Sequence, residues 1–216
     1  MTAAQRRALD VLLPRWGVAY AERRLTLDEV FARAAPCVLD IGFGDGEALF
    51  TAAANNPGVD YLGVEVHEPG VGHLLLLVER AGLTNVRVVV RDAVEVVEHM
   101  LPDASFDAID LFFPDPWPKK RHHKRRIVQP AFLAQCARIL KDGGLMHLAT
   151  DWADYAEHAR SAFAASHAFA LESESEAARD PLAFRAPTKF ERRGVALGHE
   201  VADLYYRKRA AKEERA

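Results

Sequence analysis

The amino-acid sequence predicts an α/β fold in which a mostly parallel sheet carries helices on both faces. Short apolar runs of strand length alternate along the chain with longer helical patterns, as parallel strands joined by helices require. The chain has 216 residues and 50% of them are hydrophobic, which is enough for one substantial core. We therefore expect a single domain over residues 1–216, in which a helical segment, 1–34, precedes a core, 35–208.

Seven strands are expected in a Rossmann-like sheet. The first five are predicted to be parallel and to coincide with the runs CVLDI, YLGVEV, VRVVV, FDAIDLFF and GLMHLAT, at residues 37–41, 61–66, 86–90, 106–113 and 144–150. The helices that cover the sheet are predicted near residues 46–56, 69–82, 93–100, 130–141 and 152–166. The last two strands, near 168–172 and 202–207, follow a long connection and should add as an antiparallel pair.

A short helix is predicted before the first strand. Thr26 and Glu29 have the T-x-x-E spacing of a capping box, and Pro36 requires that the helix end before it.

Composition argues against several classes of protein. The formal net charge of -3 is unlike that of proteins that coat nucleic acid, although a local basic patch can still bind RNA. Cys37 and Cys136 have neither the spacing of a metal site nor that of a disulfide framework, so we predict no metal and a reducing, cytoplasmic location. The longest aliphatic run, 74–78, is too short to cross a membrane, and the N-terminus lacks the apolar core of a signal peptide.

An acidic residue stands at the carboxyl end of each predicted parallel strand. Ligands of open parallel sheets bind beyond these strand ends. A single acidic residue in such a position is ordinary, because loops are polar. Acidic residues at all five strand ends predict a ligand site. They are Asp40, Glu65, Asp92, Asp115 and Asp151.

The loop after the first strand is a glycine-rich turn in which Gly42, Gly44 and Gly46 let a ligand approach the backbone. A dinucleotide-binding fingerprint would have its third glycine at the position of Glu47. Because Glu47 and Asp45 would repel a pyrophosphate at the following helix N-terminus, NAD is disfavoured.

S-adenosylmethionine avoids this repulsion, since it has no phosphate and carries a sulfonium and an ammonium group. Glu65 is predicted to accept hydrogen bonds from both ribose hydroxyls, and Asp92 is predicted to accept one from the adenine amino group. Asp40 suits two roles, as a partner of the methionine ammonium or as a support for the amides of the glycine loop.

Residues 114–118, PDPWP, form a loop that is stiffened by three prolines, which bias the residues before them toward extended conformations. The loop should hold an acid, Asp115, beside the methyl group. Trp117 fits equally well as a stacking platform for a base or as a core aromatic that closes the loop.

A basic run follows this loop. A solvated helix face is the ordinary interpretation of such a run, but here no acid is interspersed to pair with the cations. Contact with RNA phosphates is therefore favoured. The run comprises Lys119, Lys120, Arg121, His122, His123, Lys124, Arg125 and Arg126.

Six stretches carry a resemblance to a known family: LDIGFGDG, GVEVHEPGVG, RDAVEV, FFPDPWPKKRHHKRRIV, ATDWADYAEHA and TKFERRGVALGHEVADLYYRK. In this order, from about residue 37 to 208, they resemble the bacterial tRNA (guanine-N7-)-methyltransferases, and the pairing of PDPW with TKFE is highly specific. The resemblance implies a class I methyltransferase fold. It also implies methyl transfer from S-adenosylmethionine to guanine 46 in the tRNA variable loop. We infer no obligatory protein partner.

The resemblance further assigns residues to roles. Asp40, Glu65, Asp92 and Asp115 correspond to cofactor-site positions, and Asp115 also to the proposed catalytic position. The substrate-site positions correspond to Lys119, Asp151, Thr188, Lys189, Phe190 and Glu191. The RNA-contact segment corresponds to residues 121–126.

The chemistry of guanine agrees with this assignment. N7 has an exposed lone pair, so its methylation needs placement rather than a general base. A carboxylate at Asp115 could accept hydrogen bonds from guanine N1–H and N2–H, whereas adenine N1 is an acceptor and would be repelled. Asp115 and Asp151 would also stabilise the cationic product.

Two other functions use only part of this pattern. A small-molecule methyltransferase would have little use for six cations beside its pocket. A noncatalytic RNA-binding module would not need the series of acids.

Overall fold

The computed structural model describes residues 1–174, 182, 185, 186, 188, 191, 198 and 200–210. Its seven strands form one sheet and are numbered along the chain as β1 Cys37–Ile41, β2 Asp60–Glu65, β3 Val86–Val90, β4 Phe106–Phe112, β5 Leu140–Thr150, β6 Phe169–Glu174 and β7 Ala202–Lys208. The spatial order is β3-β2-β1-β4-β5-β7-β6. Strands β1 to β5 are parallel and β7 runs antiparallel to both of its neighbours, which confirms the predicted topology.

Helices cover both faces of this sheet. In the described ranges they are α1 Ala3–Val11, α2 Leu13–Trp16, α3 Leu27–Phe31, α4 Glu47–Asn55, α5 Glu68–Ala81, α6 Ala93–Glu95, α7 Pro130–Ile139 and α8 Ala153–Ala165. A π-helical turn, Val96–Met100, extends α6, and a 3₁₀ helix, Lys120–Arg125, follows β4. No helix within these ranges combines the length and the hydrophobicity of a membrane-spanning segment.

Alternating side chains of the strands separate two hydrophobic cores. Val38 of β1 packs in the core that α1, α4 and α5 cover, whereas its neighbour Leu39 packs in the core that α7 and α8 cover. Both side chains are buried. This pattern of near-continuous burial is the one expected for a parallel strand that is covered on both faces.

The N-terminal segment packs against the β3 edge of the sheet. The Trp16 indole N–H donates to the Leu83 carbonyl (3.1 Å), and the Val18 amide donates to the Val88 carbonyl of β3 (2.8 Å). Such a contact satisfies part of the polar backbone that an edge strand otherwise exposes.

The prediction of a capping box at Thr26 is wrong, because the capping hydrogen bond of its side chain is absent. Thr26 does precede α3, but its side chain caps no amide, because tertiary bonds such as that from the Leu25 amide to the Met100 carbonyl (2.9 Å) fix the chain there. A capping box forms instead before α1, between Thr2 and Gln5.

The glycine loop after β1 depends on a close approach of α5. Gly42, Gly44 and Gly46 have φ of 73°, 61° and 77°, in the left-handed region that favours glycine. The first turn of α5 packs directly on this loop, since a Cβ on Gly70 would lie 1.8 Å from the Gly44 carbonyl oxygen. The loop and the helix can therefore meet only if residue 70 has no side chain.

Gly70→Ala should consequently destabilise the fold by about 1 to 3 kcal/mol, the usual effect of overpacking. Gly58→Ala is the matched control, because a Cβ there would meet nothing within 4 Å. Urea unfolding of both variants measures the difference. Equal midpoints for the two variants would contradict this account of the loop.

Candidate active site

The order of the strands creates a crevice between β1 and β4. The chain leaves β1 toward β2 and β3, then crosses back to form β4 on the other side. At such a switch point the loops diverge at the carboxyl edge of the sheet and open a ligand site. All five predicted acids lie along this edge, at the ends of β1 to β5: Asp40, Glu65, Asp92, Asp115 and Asp151.

Glu65 holds the glycine loop. Its Oε2 accepts a hydrogen bond from the Gly44 amide (2.8 Å), and its Oε1 accepts from the amides of Val66 (2.7 Å) and His67 (2.9 Å). No amide within residues 37–46 donates to Asp40, so the loop is supported by Glu65 and not by Asp40. A carboxylate has about four acceptor sites, and these three bonds leave one of them, on Oε2. The sequence-based prediction was that Glu65 accepts hydrogen bonds from both ribose hydroxyls, which would need two free sites.

Asp40 is a buried acid. It is 4% exposed, and burial, followed by the charge of Glu65, raises its pKa to about 7. Its neighbour across the β1–β4 pairing is Asp110, also buried, whose pKa is raised well above its usual value by burial and then by Asp40. Two such acids side by side disfavour double ionisation, and a cationic group bound there would favour the charged form.

A cavity of about 320 Å³ opens between the ends of β2 and β3. It is lined by Val66, Val90, Arg91, Asp92 and Glu95. Val66 is 62% exposed, and an aromatic ligand could cover its side chain. Val66 is not among the site residues predicted from the sequence, although an apolar residue directly after the acid at a strand end was an available signal.

Asp92 is fixed at the rim of this cavity. Its Oδ1 accepts from the Val94 amide (2.8 Å) and thereby caps the helix that begins at Ala93. The cap fixes where the carboxylate stands relative to the cavity.

The PDPWP loop is strained, and here the prediction of extended residues before proline is wrong at two positions. Phe113 and Trp117 have φ of 50° and 43°, in the left-handed region that large side chains rarely adopt. Such residues cost about 1 to 3 kcal/mol each and persist only where neighbours fix them. The Phe113 amide bonds the Ala149 carbonyl (2.7 Å), and Arg126 Nε bonds the Pro116 carbonyl (2.9 Å). Asp115, between them, is exposed beyond the carboxyl end of β4.

The basic run folds into the 3₁₀ helix after this loop. Five of its cations are exposed, namely Lys119, Lys120, Arg121, Lys124 and Arg125. His122 and His123 are half-buried. Trp117 is half-buried beneath the run, with the Arg125 guanidinium 4.9 Å from its ring centroid, so it is neither a core aromatic nor a bare platform.

The predicted RNA-contact segment, residues 121–126, needs correction at Arg126. It is 2% exposed, and its guanidinium pairs with Asp154 and with the Pro116 carbonyl. The hydrogen bond from Arg126 lowers the pKa of Asp154. Arg126 therefore braces the PDPWP loop from inside and is not at the surface that RNA could reach.

The predicted substrate positions are partly described. Lys119 is exposed at the start of the 3₁₀ helix, and Asp151 is half-buried directly after β5. Thr188 and Glu191 bond each other, since the Thr188 amide donates to Glu191 Oε2 (3.1 Å) and the Glu191 amide donates to Thr188 Oγ1 (3.1 Å). Lys189 and Phe190 lie outside the described residues.

Fold and site together define a class I methyltransferase. Solved structures with this fold include the 16S rRNA methyltransferase KamB (TM-score 0.62, 15% identity, 85% of this chain and 93% of that one). Another is TrmN from Thermus thermophilus (TM-score 0.56, 16% identity, 95% of this chain and 48% of that one).

Sequence comparison identifies the family. Residues 34–204 match the family described as “Putative methyltransferase”. The tRNA (guanine-N(7)-)-methyltransferase of Halorhodospira halophila is 57% identical over 97% of this chain and 91% of its own length. The enzyme of the same name from Burkholderia vietnamiensis is 52% identical over 98% of this chain and 82% of its own. The chain belongs to the tRNA (guanine-N(7)-)-methyltransferase family.

The contrast between Arg126 and Arg125 is testable. Arg126→Ala should lower the free energy of unfolding by about 1 to 3 kcal/mol, because it leaves the Pro116 carbonyl and Asp154 without their donor. Arg125→Ala should lower it by no more than about 1 kcal/mol, the usual contribution of a cation–π contact at an exposed site. Chemical denaturation gives both values, and a larger loss for Arg125→Ala would show that the brace is misassigned.

Proposed function

We propose that this protein transfers a methyl group from S-adenosylmethionine to N7 of guanine in tRNA, at position 46 of the variable loop, in the cytoplasm. One observation supports this most strongly. An exposed acid, Asp115, stands just beyond the carboxyl end of β4, and the exposed cations of the basic run follow it from Lys119 onward. The site thus combines a group that suits guanine with a surface that suits a polyanion, and its relatives carry the name of this activity.

The residues at the carboxyl edge fit the cofactor of this class. Glu65 Oε2 retains one acceptor site for a ribose hydroxyl, and Val66 and Asp92 line a cavity that suits adenine. Asp40 offers a buried carboxylate to the methionine ammonium, while Gly42 and Gly44 let the ligand approach the loop. The bound cofactor supplies the methyl group on a sulfonium.

Asp115 selects and stabilises the guanine. Its carboxylate accepts hydrogen bonds from N1–H and N2–H of guanine, and adenine does not present this pair of donors. N7 carries no proton, so Asp115 removes none, and its negative charge instead favours the cationic ring that forms with the N7–methyl bond. Asp151, next to it along the sheet edge, adds to this field.

The exposed cations bind the RNA backbone. Lys119, Lys120, Arg121, Lys124 and Arg125 lie on one continuous segment beside Asp115, where they can neutralise several phosphates without reading a base. Arg126 has no part in this contact, because it is buried.

The direct test is to incubate the protein with labelled S-adenosylmethionine and an unmodified tRNA transcript, then map the labelled nucleotide. A transcript with adenine at position 46 is the matched control. Label on N7 of guanine 46, and none on the control, supports the proposal. Label on another nucleotide or on no tRNA would overturn it.

Asp115→Asn should reduce kcat by about 100- to 1000-fold, the usual effect of removing one preorganised electrostatic group. The amide turns a donor toward the donors of guanine, and raising the pH should not restore turnover. Single-turnover methylation across pH, with circular dichroism to verify folding, measures this. The control is Asp107→Asn, at the opposite end of β4. Near-normal turnover of Asp115→Asn would exclude the role, and strong alkaline rescue would indicate a general base.

The raised pKa of Asp40 predicts a pH dependence of cofactor binding. The ammonium prefers the ionised carboxylate, so affinity should rise with pH through about 7, where Asp40 is half ionised, and level off above it, whereas it should fall as protonation proceeds below 7. Calorimetric titration between about pH 5.5 and 7 should show up to tenfold weaker binding per unit of pH. Asp40→Asn should bind weakly with no such slope. An equal slope in both proteins would mean that another group titrates.

A further inference from the structure

A buried arginine lies between two carboxylates at the carboxyl edge of the sheet. Arg185 bonds Asp203 of β7 through Nε and Nη2 (both 2.9 Å) and bonds Glu191 through Nη1 and Nη2, the latter at 2.9 Å. Its side chain is 10% exposed. Two bidentate pairs in one plane fix the position of a guanidinium far more tightly than a single ion pair does.

The same arginine lies beside the start of the PDPWP loop. Its guanidinium carbon is 5.7 Å from the ring centroid of Phe112, the last residue of β4, and 5.7 Å from that of Phe113. Phe113 is the strained residue that leads into Pro114 and Asp115. Arg185 therefore joins the bonded pair Thr188 and Glu191 to the segment that carries Asp115.

A row of buried polar side chains supports Arg185 from the sheet. The imidazole of His147, fully buried in β5, bonds Asp203 through Nε2 (2.8 Å) and stacks on Tyr205 (4.1 Å between centroids). Burial lowers the pKa of His147 despite this bond, so the ring is neutral and donates Nε2–H to Asp203. Burial acts to raise the pKa of Asp203, but the bonds from His147 and Arg185 hold it below its usual value. Asp203 is thus an oriented, ionised partner for Arg185.

We infer that Arg185 is a positioning residue of the proposed methyl transfer, which holds the bonded pair Thr188 and Glu191 near the end of β4 so that this pair and Asp115 face the same guanine. Asp203 and His147 set the direction of Arg185. The inference rests on the proposed function. Arg185 itself is directed at Glu191 and Asp203, so it acts through the Thr188–Glu191 pair and touches no substrate.

The test compares Arg185→Gln with Arg207→Gln. Arg207 lies in β7, the strand that carries Asp203, and is paired with a glutamate, Glu172, so the control removes an ion pair that involves the same strand. We expect Arg185→Gln to lower the single-turnover rate on saturating tRNA by about 10- to 100-fold, because a displacement of reacting groups by about 1 Å can have an effect of this size. Cofactor affinity should change less than twofold, and Arg207→Gln should keep the rate.

A double-mutant cycle separates positioning from general stabilisation. If Arg185 acts through Glu191, then Arg185→Gln combined with Glu191→Gln should lose no more rate than Glu191→Gln alone. A near-normal rate for folded Arg185→Gln, or additive losses in the cycle, would overturn the inference. If Arg185→Gln does not fold at the assay temperature, Arg185→Lys replaces it, since lysine keeps the charge but cannot bridge both carboxylates in one plane.

The wild-type enzyme in the same assay separates this inference from the proposed function. If the wild type fails to methylate guanine N7 in tRNA, the proposed function fails. If the wild type succeeds and folded Arg185→Gln matches it, the inference alone fails.

Discussion

The carboxylate of Glu65 is the point on which the rest of the site depends. Its bonds to the amides of Gly44, Val66 and His67 tie the glycine loop to the end of β2. They leave one acceptor site of the carboxylate free and fix the start of the chain that leads into α5, whose Gly70 packs on the same loop. A charged group that accepts several backbone bonds is a rigid group, and rigid groups make precise ligand sites.

Function at this edge has a cost in stability. Asp40 and Asp110 place two carboxyl groups side by side in the core, and both have raised pKa values because burial disfavours their charged forms. Phe113 and Trp117 add backbone strain beside Asp115. These features agree with the general observation that a preorganised site stores free energy that the surrounding core must offset.

Local patterns in the sequence were sufficient to predict the sheet and most of the acids along its edge. Strand runs and helical periodicity depend on burial that each segment encodes by itself, so the strand topology and the positions of Glu65 and Asp115 followed from the sequence. Arg126 could not be distinguished from Arg125 in this way, because it is set apart by contacts with Asp154 and Tyr155, which are remote in sequence. The network of Arg185 and Asp203 is likewise long-range, although a histidine at position 147 within an apolar strand was a visible signal.

The most direct test of the account is a crystal structure of the protein with S-adenosylhomocysteine. We expect one ribose hydroxyl on Glu65 Oε2, with the Gly44 amide still bonded to that carboxylate, and the adenine against Val66. The sulfur should lie in the β1–β4 crevice and face Asp115. A nucleoside bound away from the ends of β2 and β3, or a Glu65 carboxylate that releases Gly44 to bind it, would contradict the account.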